Sequence, residues 1–372
     1  MSKIRVLVTD DSAFMRKVIS DILSTDPEIE VIDRAKNGLE CIEKCKQLAP
    51  DVLTLDIEMP VMNGLDALEK LMNECPVPIV MLSSLTKEGA EATIHALELG
   101  AFDFVTKPSG PISLDIHKVG DRLIERVKAA AASKVRLKQQ MTRVAKPVSS
   151  ESKAAAPVTP ATPVIRTKIP SPPAVMRSLV GGKARLVVLG TSTGGPKALQ
   201  SVLTAIPANF PAPIAIVQHM PAGFTKSLAN RLDSICQIRV TEVVDGEYLE
   251  NGTAYIAPGG FHFEVRQVNG RLQAYLHQEE PRGGHRPSVD ILFESVSQLT
   301  NVDKWAIIMT GMGNDGTKGL KLMKELGHVT SIIEDESSCV VYGMPRAAIQ
   351  AGLADNVAPL EKIPELLCKL LH

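Results

Sequence analysis

Aromatic side chains are scarce in this chain: one Trp, four Tyr and eight Phe among 372 residues. Its cores must therefore be aliphatic. An excess of charge of one sign is also missing. The formal net charge is −1 at pH 7, so no global field draws the chain to nucleic acid or to an anionic membrane surface. No apolar run approaches the roughly 18 residues needed to cross a bilayer, and no direct membrane insertion is expected. The opening "KIRVLVTD" reads as a strand without a secretory apolar region, so a cytoplasmic location is expected. The six cysteines, at positions 41, 45, 75, 236, 339 and 368, form no CxxC and no Cys/His cluster at zinc-ligand spacing. Reduced thiols in a reducing compartment are the expectation. What remains is ordinary globular composition, 44% apolar and 22% charged, at a length that suggests two or three domains.

Two structured stretches flank a third that cannot build a core. Around residues 147–173 the chain reads "KPVSSESKAAAPVTPATPVIRTKIPSPP", with prolines at 147, 157, 160, 163, 170, 172 and 173. These forbid a continuous helix and leave little apolar surface to bury. A linker over 141–182 is expected, with basic residues such as Lys146, Lys153, Arg166 and Lys168 set against the single Glu151. It is either a solvated charged spacer or a docking segment for an acidic partner.

The first stretch alternates short apolar strands with amphipathic helices. "IRVLV" (4–8), "EVIDRA" (30–35), "DVLTLD" (51–56), "PIVMLS" (78–83) and "DFVTKP" (103–108) are the strands. Helical spacing falls between them, and a final helix is expected from about 112 to about 140. Five β/α units of this length imply a parallel, doubly wound α/β sheet. The second stretch, 183–372, begins the same way with "RLVVLG" (185–190), and "PIAIVQH" (213–219) and "KWAIIMTG" (304–311) follow as parallel strands. "GTAYIAPGG", "FHFEVRQVNG" and "RLQAYLHQ" alternate and carry turn glycines, which suggests an antiparallel hairpin insertion.

In open parallel sheets, chemistry gathers at the carboxyl ends of strands. In the first stretch those ends carry Asp10 and Asp11, Asp56, Ser83 and Lys107. Three converging carboxylates repel unless a cation joins them, and hard oxygen donors suit Mg²⁺. A carboxylate beside Mg²⁺ can accept a phosphoryl group, with a hydroxyl and an ammonium nearby to bind its oxygens. In the second stretch, "LGTSTGGPKAL" (189–199) poses a choice between a phosphate loop and a serine turn. It lacks GxxxxGK[ST], and Ser192 stands where GxGxxG needs its second glycine. Residues 190–194 do fit G-x-S-x-G between a strand and a helix with Pro196 in its first turn. A serine needs a base and the base an orienting acid. Of eight histidines, His219 alone ends a strand. His285, in "RGGHRPSVD", is a looser candidate, His262 and His277 lie in the hairpin region, and the others look helical or terminal. Asp315, in "TGMGNDG" (310–316), is the acid candidate, and the backbone N–H groups of Met312 and Thr193 are candidate oxyanion donors. Three candidates at three strand ends favour a Ser–His–Asp constellation, in a chain order different from the Ser, Asp, His of α/β-hydrolases.

"TDDS" (9–12), "LTLDIEMPVMNG" (53–64), Ser83 and "TKP" (106–108) make residues 1–125 resemble a two-component receiver domain of (βα)5, flavodoxin-like fold. The resemblance implies that Asp56 is the phosphoacceptor, that Asp10 and Asp11 organise Mg²⁺ with it, and that Ser83, Lys107 and Phe104 sense the phosphoryl group. It allows a cis Lys107–Pro108 bond. "GTSTGG", "QHMPAGFT" (218–225), "YIAPGG" (255–260), "HRPSVD" (285–290), "TGMGNDG" and "SCVVYGMPRAA" (338–348) make 183–372 similar to the catalytic domain of the chemotaxis protein-glutamate methylesterases (CheB family). That resemblance implies Ser192 as nucleophile, His219 as base then acid, and Asp315 as its orienting carboxylate. The implied substrate is a glutamate methyl ester on the cytoplasmic helices of methyl-accepting chemoreceptors, with methanol released, no cofactor for hydrolysis, and deamidation of receptor glutamines as a companion activity. The implied phosphodonor is a chemotaxis histidine kinase; no nucleic-acid partner and a monomer are expected. An unphosphorylated receiver covering the approach to the triad is the expected mode of control. The rival readings are a receiver-linked transcription regulator, which needs a helix-turn-helix and a basic face, a nucleotide-binding output using "GTSTGG", and a scaffold without turnover.

Overall fold

The computed structural model describes residues 3–107, 115–144 and 183–371, with the backbone alone over 115–118 and 134–144. The first unit runs β1 (Ile4–Thr9), α1 (Ala13–Leu23), β2 (Ile29–Ala35), α2 (Gly38–Leu48), β3 (Val52–Asp56), α3 (Gly64–Glu74), β4 (Ile79–Ser83), α4 (Lys87–Leu99), β5 (Asp103–Thr106) and α5 (Asp115–Val144). Side-chain caps start the helices where the sequence turns: Ser12, Asn37, Asn63 and Thr86 each accept a backbone N–H from the first turn. The strands pair in parallel in the order β2-β1-β3-β4-β5. Buried on both faces, β3 and β4 are covered by helices on either side. Helix α5 runs to Val144, past the expected end near 140, and Pro108 and the remaining linker lie outside the described residues.

The second unit comprises β6 (Ala184–Thr191), α6 (Gly195–Thr204), β7 (Ile214–Gln218), α7 (Phe224–Ile235), β8 (Arg239–Glu242), β9 (Thr253–Ile256), β10 (His262–Val268), β11 (Arg271–His277), α8 (Val289–Ser297), β12 (Val302–Ile308), α9 (Thr317–Leu326), β13 (Val329–Glu334), α10 (Met344–Gln350), β14 (Asn356–Ala358) and α11 (Ile363–Leu371). Seven strands form one parallel sheet in the order β14-β13-β12-β6-β7-β9-β8. Only β10 and β11 make the antiparallel hairpin. The "GTAYIA" stretch, expected within that insertion, instead forms β9 and pairs in parallel with β7 and β8. Its four residues are all buried. Buried on both faces, they belong inside a sheet, and an alternating pattern read over so few residues does not distinguish the two cases.

The chain winds outward from β6 through β7 to β8 and β9, then returns to lay β12 on the other side of β6. The loop after β6 leads to α6, packed on one face of the sheet, and the loop after β12 leads to α9, packed on the opposite face. The crevice between diverging loops is where open α/β sheets place ligands. The receiver-like unit has the same break between β1 and β3. Among the described residues, no helix is long and apolar enough to cross a membrane.

Candidate active site

Ser192 is the first residue beyond β6. Its N–H donates to Thr310 O (3.0 Å), and its carbonyl accepts from Gly195 N (2.8 Å) and Gln218 Nε2 (3.0 Å). The turn then passes through Gly194 at φ +79°, a left-handed conformation that suits glycine. The loop after β12 approaches so closely that a Cβ on Gly311 would lie 2.9 Å from Ser192 Cβ and 2.3 Å from Met344 Sδ. That loop is anchored from below. Buried Glu334 accepts Thr310 N–H (2.7 Å) and Ser338 Oγ–H (2.9 Å). Burial raises the Glu334 pKa, against the pull of the Thr310 N–H.

His219 follows β7, its N–H donating to Thr191 O (3.2 Å). Its Nε2 lies 2.8 Å from Asp315 Oδ2. The Asp315 carboxylate is held from several directions. Oδ1 accepts Ser288 Oγ–H (3.0 Å) and the N–H groups of Asp290 (2.9 Å) and Gly316 (3.0 Å), and Oδ2 also accepts Val289 N–H (2.7 Å). Two of these donors are the first N–H groups of α8, where a helix end favours negative charge. Burial works to raise the Asp315 pKa, but the hydrogen bond and charge of His219 and the N–H groups of Asp290 and Val289 outweigh it and hold the carboxyl well below the usual range. Asp290 returns the favour across the helices: its Oδ1 accepts Gly316 N–H (2.9 Å) and Gly319 N–H (2.8 Å) at the start of α9. Each helix thus caps the other through an aspartate.

With Nε2 turned to the acid, His219 has Nδ1 left for a serine; it is buried and has no partner. Triads of the chymotrypsin type use the two nitrogens the other way round. Among the described residues no hydrogen bond joins Ser192 Oγ to His219, as is common before substrate binds. The N–H groups of Thr193 and Met312 likewise have no hydrogen-bond partner among the described residues. His285 stacks on His219 with ring centroids 3.9 Å apart and planes 7° apart. Burial, then the proximity of His219, pushes its pKa down to about 4, so a neutral ring covers the His219 imidazole.

The receiver-like unit builds a second site. Ligand oxygens of Asp10, Asp11 and Asp56 lie within 4.8 Å of one another. Lys107 Nζ lies 2.8 Å from Asp10 Oδ2 and 2.7 Å from Asp56 Oδ2. Both oxygens are buried, and no well-formed hydrogen bond reaches either; the lysine charge compensates them. Burial pushes Asp56 up to about 6, opposed by Lys107. Burial also works against the charge on Lys107, but Asp10 and Asp56 outweigh it and raise its pKa. Two buried carboxylate oxygens without a hydrogen bond, with the exposed Asp11 carboxylate beside them, fit a divalent cation such as Mg²⁺. Ser83 Oγ, at the end of β4, accepts from Thr93 Oγ1 (2.7 Å).

The two units touch close to both sites. Ala90 and Ile94 of α4 pack into the same apolar cluster as α6 and α7. Phe104, expected to sense phosphorylation, stacks on Phe224 with centroids 4.8 Å apart. Asp103, at the start of β5, accepts Thr193 Oγ1–H at 2.6 Å and pairs with Arg126 Nε at 3.0 Å. Arg126 also donates to Met312 Sδ (2.8 Å). A cleft of about 340 Å³ between the units is lined by Asp103, Phe104 and Arg126 on one side and His219, Met220 and His285 on the other.

Of the three strand-end residues selected from sequence, His219 and Asp315 meet at 2.8 Å, and Ser192 follows β6, which lies between β7 and β12, the strands that lead to them. Ser288, Asp290, Glu334 and the Asp103–Arg126 pair escaped that reading. Ser288 and Asp290 lie within "HRPSVD" (285–290), a stretch that carried the family resemblance without a role for either residue; Asp290 also stands in the first turn of α8. Asp103 carried no signal, since its partner Thr193 is 90 residues away.

Fold and sites define a class: a receiver domain docked on an α/β domain with a serine–histidine–aspartate constellation. Residues 6–117 match the response regulator receiver domain and residues 187–367 match the CheB methylesterase family. The chain belongs to the CheB family of receiver-linked methylesterases. It is 53% identical over 368 residues to the protein-glutamate methylesterase/protein-glutamine glutaminase of Halalkalibacterium halodurans, covering 99% of this chain and 98% of that one. It is 48% identical over 360 residues to the Bacillus subtilis protein of the same name, covering 97% and 96%. A crystal structure of the Thermotoga maritima CheB methylesterase catalytic domain is 47% identical, with a TM-score of 0.49, and spans 51% of this chain and 100% of that one.

Proposed function

We propose that this chain hydrolyses glutamate methyl esters on the cytoplasmic helices of chemoreceptors, deamidates receptor glutamines, and is switched on by phosphorylation of Asp56. Its relatives carry the two activities in their names. The observation that carries the chemistry is the Asp315 carboxylate. Fixed by hydrogen bonds from both sides, it holds His219 Nε2 at 2.8 Å and leaves Nδ1 buried without a partner. In this reading Ser192 Oγ passes its proton to His219 Nδ1 as it attacks the ester carbonyl. The negative oxygen is received by the N–H groups of Thr193 and Met312. His219 returns the proton to the departing methoxide, and methanol leaves. Water then loses a proton to His219 and attacks the acyl-serine, which frees the glutamate carboxylate and restores Ser192. A glutamine side chain follows the same course with ammonia as leaving group.

Asp10, Asp11 and Asp56 would hold Mg²⁺, which when bound offsets the charge of an incoming phosphoryl group. The Asp56 carboxylate oxygen attacks phosphorus of a kinase phosphohistidine, and the histidine nitrogen leaves. Lys107 and Ser83 then have phosphoryl oxygens to bind, and Lys107 gives up its grip on Asp10. Strand β5 connects this event to the other site, because Lys107 follows its end while Asp103 and Phe104, at its start, touch Thr193 and Phe224. Occlusion by the docked receiver is the unphosphorylated state. The test is methanol release from methylated receptor membranes, with and without a small-molecule phosphodonor. Ser192→Ala should abolish release and Asp56→Asn should abolish its stimulation; undiminished release by the first or full stimulation of the second would sink the reading.

A further inference from the structure

Neither catalysis nor phosphoryl transfer uses the cysteines of the receiver domain, yet their placement is unusual. Cys45 lies on the buried face of α2, and Cys75 is the residue that ends α3. Their Sγ atoms are 3.0 Å apart, although the residues are 30 positions apart in sequence. A disulfide needs about 2.05 Å between sulfurs, so side-chain rotation of about an ångström closes the gap. The access is asymmetric: Cys75 is half-exposed while Cys45 is buried. Cys41, one turn earlier on α2, is the competing partner; it is as buried as Cys45, but burial, opposed by Thr9, pushes its thiol up to about 11, whereas the 3.0 Å sulfur contact of Cys75 is with Cys45.

We propose that Cys45 and Cys75 form a two-electron thiol pair that a hydroperoxide converts to a reversible disulfide joining α2 to α3. The Cys75 sulfur, the more accessible of the two, attacks one peroxide oxygen as its thiolate: an S–O bond forms, the O–O bond breaks, and with one proton taken up the first water leaves. The Cys45 sulfur then attacks the Cys75 sulfur. The S–S bond forms, the S–O bond breaks, and the hydroxyl leaves with the Cys45 proton as a second water. Two thiols and one hydrogen peroxide thus give one disulfide and two waters. Any dithiol reductant reverses it. The two helices so joined also frame the phosphoacceptor at their other ends, where Gly38 N–H donates to Met62 O (3.1 Å) and Gly64 N–H donates to Ile57 O (2.8 Å).

The experiment treats the full chain with hydrogen peroxide near stoichiometric amounts, blocks remaining thiols by alkylation, and maps the peptides by mass without reduction. Lys44 separates Cys41 from Cys45, so cleavage after lysine tells the two candidates apart. The expected product is a Cys45–Cys75 cross-link that dithiothreitol removes, with four of the six cysteines still alkylated. Cys41→Ser should leave the cross-link intact, and Cys45→Ser should replace it with sulfenic or higher acids on Cys75. A Cys41–Cys75 bond, a Cys75–Cys75 dimer, or full alkylation of Cys45 while Cys75 over-oxidises would each overturn the proposal.

Discussion

Replacing Asp103 with alanine should raise the activity of the unphosphorylated enzyme. This carboxylate sits in the receiver, far in sequence from the triad, yet it accepts Thr193 Oγ1–H at 2.6 Å beside the nucleophile and anchors Arg126 at 3.0 Å. Arg126 in turn reaches Met312. Removal of the acceptor leaves a buried hydroxyl and a guanidinium without their partner in the docked state, whereas both are hydrated once the domains part. A hydrogen bond to a charged group contributes about 1.5–3 kcal/mol. At about 1.4 kcal/mol per decade, docking weakens by about tenfold to about a hundredfold. Basal turnover rises by the same factor until it meets the ceiling set by the isolated 183–372 fragment. The assay is methanol release from methylated receptor membranes without phosphodonor, for the wild type, Asp103→Ala, Arg126→Ala and the fragment. Thermal melting checks that the receiver remains folded. A folded Asp103→Ala protein no faster than wild type would refute the latch. A fragment no faster than the full chain would refute occlusion itself.

Gly311→Ala should cost at least about 1–3 kcal/mol of stability in the catalytic domain and most of its activity, because its Cβ would meet Met344 Sδ at 2.3 Å and Ser192 Cβ at 2.9 Å; denaturant melts and ester hydrolysis read both. His285 has its pKa lowered from 6.5 to about 4, so the unfolded chain binds the proton more readily and native stability falls as pH drops through that interval. His285→Gln should flatten the melting temperature between those pH values; an unchanged slope would show that another group carries it. Chelation of divalent cations should stop phosphodonor stimulation of the full chain while leaving hydrolysis by the 183–372 fragment unchanged, and equal loss in both would place a metal in the hydrolytic step.

The sequence by itself determined the local pieces: apolar runs too short for anything but buried strands, the caps that start α1 to α4, and reactive residues at strand ends. Those signals depend on neighbours a few positions away, so Ser192, His219, Asp56 and Lys107 were all legible. The family resemblance attached roles to them that no spacing contains. Tertiary structure decided what depends on distant residues meeting. The place of "TAYI" was one such matter, settled by flanking strands that cover both faces of a four-residue segment. Another was which nitrogen of His219 meets the acid, since Asp315 is oriented by the helix end at Val289 and Asp290, about 25 residues upstream. The latch from Asp103 to Thr193 was a third, for it exists only where two separately folded sheets dock. Chain periodicity encodes the faces of an element; the partner each face finds is set by packing and by the burial of polar groups that must be satisfied.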